Sequence, residues 1–357
     1  MPQIPAVEYR SAARLLPAPQ PLTPAALRRW LADNGLPAYR AAQILSWAYR
    51  RGATQYAAMS DLPAGLRDAL AASFLLPMLE PAVVAQSEDG ARKLLFRLDA
   101  QAAIESVLIP DPPRLTLCIS SQAGCGMGCT FCATAQLGLL RNLNAAEIAG
   151  QVLAARAQLR PEERVTNIVF MGMGEPLANY DAVVEAIEIL TAEWGLGLSS
   201  RRITVSTVGL VPAMQRLVSD TAVHLAVSLS GTTDAQRARL MPVNRRYPIE
   251  ALLAMCRSLP IPQRRRITFE YVMLAGVNDS LDDAGRLARL LHGIRAKVNL
   301  IPFNPFPGAA FGCSAPAVIQ RFQQRLLSVG VHATIRQSRG QDIQAACGQL
   351  ALAGACS

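Results

Sequence analysis

The stretch Cys125-Gly126-Met127-Gly128-Cys129-Thr130-Phe131-Cys132 places three cysteines at C-x3-C-x2-C spacing in one short loop. Soft thiolates at that density select an iron–sulfur cluster or zinc. A structural zinc site wants a fourth ligand close by to complete its tetrahedron. The nearest candidate, Cys118, lies before the triplet at the end of a strand-like run. Three ligands on a four-iron cluster instead leave one iron open to a small molecule. Gly124, Gly126 and Gly128 suit backbone that must wrap closely around a bulky inorganic group. The cluster is the reading adopted, with a zinc-stabilised, non-catalytic protein as the alternative from another class.

Around this loop the pattern alternates between strands and helices. Strand-like runs are Leu115–Ser121, Asn167–Met171, Arg202–Ser206, Ala222–Leu229, Arg266–Leu274 and Lys297–Phe303. Helical stretches between them include Ala145–Leu159, Asp181–Trp194, Ile249–Leu259, Leu281–Leu291 and Ala317–Val329. Val/Ile-rich strands alternating with helices argue for a parallel sheet, and the units are too few for a closed eight-fold barrel. The expected fold class is therefore α/β, an open partial (β/α)6 barrel with its chemistry at the strand C-terminal ends. Before it, residues 83–110 read as a hairpin around Asp89-Gly90 that ends in the strand Ala103–Ile109. Residues 21–80 read as short helices, with Asp61, Leu62 and Pro63 as the cap and first turn of one. Residues 1–20 are Pro/Ala-rich and read as an irregular arm.

The chain has 357 residues, 51% of them hydrophobic, and a mean hydropathy of +0.21. That describes a globular protein with room for a large core. No apolar run reaches the roughly 18 residues a membrane span needs. The N-terminus has no apolar core of a secretion signal, so a cytoplasmic protein is expected, in which clustered cysteines are ligands or catalysts rather than disulfides. The net charge of +9 favours a polyanionic partner such as nucleic acid. Arg28-Arg29, Arg201-Arg202, Arg245-Arg246 and Arg264-Arg265-Arg266 are the candidate phosphate contacts.

Polar residues end several of the expected strands. Met171-Gly172-Met173-Gly174-Glu175-Pro176 offers backbone carbonyls and a carboxylate to an ammonium group. Ser206-Thr207, Ser228-Leu229-Ser230 and Asn304 follow other strands and would line the same mouth. Taken singly, each is equally a tight turn or a strand cap.

The cysteine loop resembles that of the radical S-adenosylmethionine enzymes. Ser120–Cys125, Phe170–Pro176, Glu270–Leu274, Asn299–Gly308 (NLIPFNPFPG) and Arg339–Leu350 (RGQDIQAACGQL) are together similar to the RlmN family of radical RNA methyltransferases, over nearly the whole chain. The resemblance implies a radical S-adenosylmethionine barrel over 113–340, a helical accessory, RNA-binding domain over 1–80, a hairpin extension over 81–112 and a catalytic tail over 341–357. It implies a [4Fe–4S] cluster on Cys125, Cys129 and Cys132. Gly174, Glu175, Ser206, Ser228, Leu229, Ser230 and Asn304 would bind S-adenosylmethionine, used twice per turnover. Cys347 falls at the family's methyl-accepting cysteine, Cys118 at its second catalytic cysteine and Glu105 at a carboxylate proposed as proton acceptor. On residue type alone, both cysteines are equally inert apolar residues and Glu105 a surface glutamate. Cys256, Cys313 and Cys356 have no motif around them. The chain departs from the family at Val208, where serine is frequent, and at Ser230, where histidine is frequent.

The implied activity is methylation of carbon 2 of an adenosine in 23S rRNA near the peptidyl-transferase centre and, in part of the family, of the adenosine beside the tRNA anticodon. The related Cfr-type methylation of carbon 8 is the alternative. Carbon 2 of adenine lies between two ring nitrogens and is electron-poor, so it cannot attack a methyl sulfonium. The family solution is to methylate Cys347, turn its methyl into a carbon radical that adds to the base, and release the product when Cys118 attacks the Cys347 sulfur. Cys118 and Cys347 must then come within disulfide reach, so the tail has to fold back over the barrel mouth. A one-electron donor such as flavodoxin is the expected partner, and a monomer the expected state.

Overall fold

The computed structural model describes residues 18–351. The N-terminal part of the expected arm and Cys356 lie outside the described residues. The chain divides into two compact units, Met1–Pro77 and Met78–Ser357.

The first unit holds β1 (Gln20–Pro21), α1 (Pro24–Asp33), α2 (Tyr39–Leu45), α3 (Ala64–Ser73) and β2 (Phe74–Leu75), with β1 and β2 paired in parallel. Thr23 caps α1, its side chain accepting from the Ala26 N–H, and Pro24 sits in the first turn where no N–H is required. Leu27, Leu31, Ile44, Tyr49, Leu70 and Phe74 are fully or almost fully buried and form the core of this unit. Arg28, Arg29, Arg50 and Arg51 are exposed. The expected cap at Asp61 is corrected: α3 begins at Ala64 after Pro63 with no side-chain cap. Asp61 instead accepts from Trp47 Nε1 at 2.6 Å.

The second unit is built on one ten-stranded sheet. β3 (Val83–Gln86), β4 (Arg92–Arg97) and β5 (Ala103–Asp111) form an antiparallel meander that ends against β6 (Arg114–Cys118). Gly90, at φ +86°, makes the hairpin turn between β3 and β4. A short ribbon of β7 (Gln122–Gly124) and β8 (Leu139–Asn142) follows β6, with α4 (Ala133–Gln136) between its strands. The chain continues through α5 (Ala145–Ala157), β9 (Asn167–Phe170), α6 (Tyr180–Thr191), β10 (Ile203–Thr207), α7 (Val211–Asp220) and β11 (His224–Ser228). It ends through α8 (Asp234–Leu240), α9 (Ile249–Ser258), β12 (Ile267–Met273), α10 (Leu281–Leu290), β13 (Ala296–Pro302), α11 (Pro316–Ser328) and β14 (Ala333–Ile335).

The spatial order β6-β9-β10-β11-β12-β13-β14 follows the sequence, and every pair in it is parallel. Right-handed crossovers then put the helices on one face and leave the other to line the site. The sheet is open, with β3 and β14 as its edges. The strands are buried as parallel strands require: Ile168, Val205, Val227, Phe269, Val298 and Leu300 are fully buried. Several short elements escaped the sequence pattern: β14 has only three residues, α7 carries a proline in its first turn, α4 and α8 have four and seven residues, and the β7–β8 ribbon is too short for a period to show. Among the described residues, no helix is long and apolar enough to cross a membrane.

One buried side chain sets where the cysteine loop begins. Gln151, on α5, accepts from the Ser120 N–H (2.8 Å) and the Ser106 hydroxyl (2.6 Å), and donates to the Ser120 carbonyl (2.9 Å). Gln151→Leu would leave these buried groups without partners, each loss costing about 1–3 kcal/mol. Urea unfolding is expected to show a destabilisation of about 3 kcal/mol or more; a change below 1 kcal/mol would mean that water replaces the amide.

Candidate functional site

β6 ends at Cys118, β7 (Gln122–Gly124) starts after three intervening residues, and the cysteine loop follows it directly from Cys125. The loop is closed by backbone: the Cys125 N–H donates to Gly138 O at 2.8 Å. Gly124 sits at φ +75°, and a Cβ there would lie 1.9 Å from that same Gly138 oxygen, so only glycine fits. Cys129 is buried, and Cys125 and Cys132 are partly so. Burial pushes the Cys125 thiol up to about 11, and the neighbouring Cys132 and Glu175 add to the rise. Burial first, then Cys132 and Cys125, raise Cys129 well above the ordinary thiol range. Cys132 is raised by burial and by Cys347. Three thiols crowded in this way ionise only if a positive centre joins them, which bound metal does outright. Among the described residues, no group of three His, Cys, Asp or Glu side chains is placed to share a single metal ion. The three thiols of Cys125, Cys129 and Cys132 are a donor set that a [4Fe–4S] cluster would take, one thiolate to an iron.

Beside the loop, the strand ends enclose a cleft of about 790 Å³ open to solvent. Cys132, Gly174, Glu175, Ser206, Ser228, Asn304 and Cys347 all line it. Glu175 Oε2 accepts from the Val208 N–H (2.8 Å) and Oε1 from the Leu177 N–H (3.0 Å), while burial raises the carboxyl to about 7. A Cβ on Gly174 would come within 2.5 Å of the Gln122 side chain, so this turn packs directly on β7. Leu229 and Ser230 do not line the cleft. Both are fully buried, and the Ser230 hydroxyl accepts from the Val272 N–H at 3.2 Å.

Glu105 is not a surface residue. It is fully buried within β5 and ion-paired with Lys93 at 3.0 Å, and its backbone oxygen accepts from the Ser120 hydroxyl at 2.6 Å. The arginine pairs divide. Arg201-Arg202 and Arg264–Arg266 precede β10 and β12, at the opposite ends of those strands from the cleft, and Arg265 donates to the Ala222 carbonyl. Arg245 and Arg246 are exposed on the turn begun by Pro242, whose side chain faces Gly128 of the cysteine loop.

The tail folds back over the mouth. Asn304 Nδ2 donates to Cys347 O (3.0 Å), and the Ala133 N–H, one residue past the last loop cysteine, donates to Gly348 O (2.8 Å). Gln349 Nε2 donates to Pro305 O at 2.7 Å. At its base, Asp342 accepts from the Ser87 hydroxyl (2.6 Å) and the Glu88 N–H (3.2 Å), and Asp89 accepts from the Gly340 N–H (2.8 Å). Cys118 and Cys347 therefore line one pocket, together with Met171 and Arg336.

Three residues here had no role in the sequence reading. Arg237 is fully buried and donates to Asn244 Oδ1 (2.9 Å), Val208 O (2.6 Å) and Ser228 O (3.3 Å), which ties the ends of β10 and β11 together. Glu270 lines the cleft and accepts from Asn299 Nδ2 at 2.8 Å; burial raises its carboxyl. Arg336 lines both pockets. A carboxylate inside the apolar run Ile267–Met273 was the one available signal for Glu270.

Comparison with known proteins follows the same two-part division. Residues 119–289 match the radical SAM superfamily, and residues 21–76 match the ribosomal RNA large subunit methyltransferase N-terminal domain. The dual-specificity RNA methyltransferase RlmN of Geobacter sulfurreducens is 53% identical over 324 residues, covering 91% of this chain and 89% of that protein. Its counterpart from Anaeromyxobacter dehalogenans is 50% identical over 333 residues, covering 91% of this chain and 89% of that protein. A crystal structure of a radical SAM methyltransferase from Sphaerobacter thermophilus superposes with a TM-score of 0.85 at 50% identity, covering 92% of this chain and 97% of that one.

The hairpin contacts make a testable latch. Asp342→Ala removes two of the bonds that hold the base of the tail. Backbone amide exchange over residues 340–350 is expected to quicken about tenfold, the factor for roughly 1.4 kcal/mol of lost hydrogen bonding. Unchanged exchange over that segment would assign its anchoring to the bonds made by Asp89, Ala133, Asn304 and Gln349.

Proposed function

Because the chain belongs to the RlmN family of radical S-adenosylmethionine RNA methyltransferases, we propose that it methylates carbon 2 of an adenosine in 23S rRNA, and of the adenosine beside the tRNA anticodon. The observation that carries this reading is the tail: it brings Cys347 into one pocket with Cys118, beside the cysteine loop. No ordinary S-adenosylmethionine displacement at nitrogen or oxygen calls for a second cysteine there.

In this reading Cys125, Cys129 and Cys132 hold the cluster. Gly174, Glu175, Ser206, Ser228 and Asn304 face S-adenosylmethionine, of which two are used per turnover. When bound, the two groups supply reductive cleavage of a carbon–sulfur bond and hence a carbon radical. The protein's own part is to hold sulfur and proton. Cys347 carries the methyl carbon to the base, and Cys118 releases it by forming a disulfide with Cys347. Glu105 and Lys93 form a buried ion pair on the same face of the sheet as Cys118, within which a proton can be held. Leu229 and Ser230 act one layer out: the Leu229 N–H donates to Glu270 O and Ser230 O accepts from Asn278 Nδ2, which fixes the end of β11.

The adenosine has to be looped or flipped out of its stack to reach the cleft. The unit Met1–Pro77, with its exposed Arg28, Arg29, Arg50 and Arg51, supplies RNA contacts, and Arg245 and Arg246 supply others. A flavodoxin-like donor supplies the electron, and a monomer in the cytoplasm suffices for the reaction.

The test is nucleoside mass spectrometry. Anaerobically reconstituted protein is given unmodified 23S rRNA, a reductant and methyl-labelled S-adenosylmethionine. Label in 2-methyladenosine is expected; label in 8-methyladenosine would move the chain to Cfr-type chemistry, and no label from iron-loaded protein would remove rRNA as substrate. With six or more phosphates contacted, RNA affinity is expected to fall by about a thousandfold between low and moderate salt. A flat salt response in a filter-binding assay would contradict the arginine contacts.

A further inference from the structure

Arg336 follows β14, and its backbone N–H donates to Leu300 O at 2.8 Å, so the sheet and not the tail fixes where it starts. Its guanidinium enters a nest of sulfur: Nη1 lies 3.5 Å from Met171 Sδ, and Cys118 and Cys347 line the same pocket. The carboxylate facing it is Glu270. Lys93 and Glu105, on β4 and β5, share Cys118's face of the sheet and already neutralise each other at 3.0 Å. The tail brings Cys347 itself. Arg336 is thus the cation that faces the two sulfurs.

We propose that Arg336 is the charge partner of the exchange between Cys118 and Cys347, stabilising the Cys118 thiolate as it attacks the Cys347 sulfur. This rests on the methyl-transfer reading, which pairs the two cysteines. In the release step an Sγ–Sγ bond forms and the bond from Cys347 Sγ to the methylene carbon breaks. The electron pair leaves on carbon, and the proton given up by Cys118 balances the one that completes the methyl group. Carbon is reduced and the two sulfurs oxidised, so no outside oxidant enters.

The need for such a partner is physical. Cys118 is 4% exposed, and burial pushes its thiol up to about 12, with Arg336 pulling it back down. A thiol in that state is inert, because only the thiolate attacks sulfur. A guanidinium keeps its charge at any working pH. Here Cys347 first, and after it Glu270 and Cys118, hold its proton more firmly still, against the effect of burial. The sheet holds Arg336 and Cys118 in place, and seating of the tail brings Cys347 to them, so the exchange is confined to the closed state.

The exchange can be timed without any radical chemistry. The anaerobic holoenzyme, in a Cys313→Ser, Cys356→Ser background, is treated with 5,5′-dithiobis(2-nitrobenzoate). Cys347 forms a mixed disulfide and releases one thionitrobenzoate; Cys118 then attacks Cys347 and releases a second, and peptide mapping identifies the final disulfide. Arg336→Gln is expected to slow the second release about tenfold, equivalent to about one pKa unit, and to move its pH profile upward. Arg336→Lys is expected to restore most of the rate, and Glu270→Gln, which removes the competing carboxylate, to match or exceed the parent. A second phase with unchanged rate and pH profile in Arg336→Gln overturns the proposal. Equal slowing by all three variants also overturns it, since that marks packing rather than charge. A parent that never releases the second equivalent lacks the cysteine pair, and the methyl-transfer reading falls with the proposal.

Discussion

The seating of a tail without regular secondary structure is the constraint on which the mouth of this sheet depends. Residues 340–350 contribute no strand or helix, so their position comes from hydrogen bonds at each end and from Asn304 between. Asn304 is the pivot: its amide nitrogen donates to Cys347 O, and its oxygen accepts from Gln341 Nε2 at 2.7 Å. A net hydrogen bond contributes about 0.5–1.5 kcal/mol, so the handful that hold the tail make a closed state that dominates yet opens at modest cost. That balance suits the proposed reading, in which the tail cysteine meets cofactor, RNA base and Cys118 in turn. The bond from the Ala133 N–H to Gly348 O also ties the tail to the cysteine loop, so ordering of the loop and seating of the tail favour each other.

Electrostatics adds a second layer to the same architecture. Sulfur is brought into the interior as thiol, where burial opposes ionisation. Two guanidiniums enter with it. Arg237 faces Cys129 while it holds the carbonyls of Val208 and Ser228, and burial lowers it to about 10. Arg336 faces the sulfurs of Cys118 and Cys347. An excess of arginine that reads as an RNA-binding surface in the composition is therefore partly interior, but Glu105, Glu175, Glu270 and Asp283 are buried as well, so the positive balance of the chain is carried by what faces solvent.

The parallel strands and the cysteine loop were legible because both are local. A Val/Ile-rich run announces a buried strand wherever it falls, and C-x3-C-x2-C needs no tertiary context. What stayed hidden depends on partners far along the chain. Gln151 resembles any polar helical residue until the Ser120 backbone, 31 residues away, is seen to fill its hydrogen bonds. Asp61 looks like a helix cap but meets Trp47, and Glu105 looks exposed but meets Lys93. Ser228 and Ser230 are near neighbours in sequence, yet only Ser228 reaches the cleft, because Ser230 turns at φ +44° toward the Val272 backbone. Arginine pairs carry no sign of which end of a strand they occupy, so Arg201-Arg202 and Arg245-Arg246 read alike although they lie at opposite ends of the sheet.

The central claim is that Cys347 carries the new carbon and that Cys118 frees it. The most direct measurement is a denaturing gel with peptide mass mapping of Cys118→Ala protein after anaerobic incubation with RNA, reductant and S-adenosylmethionine. The account predicts RNA covalently attached at Cys347, and no such adduct for Cys347→Ala. Normal turnover of Cys118→Ala with free methylated RNA would contradict it.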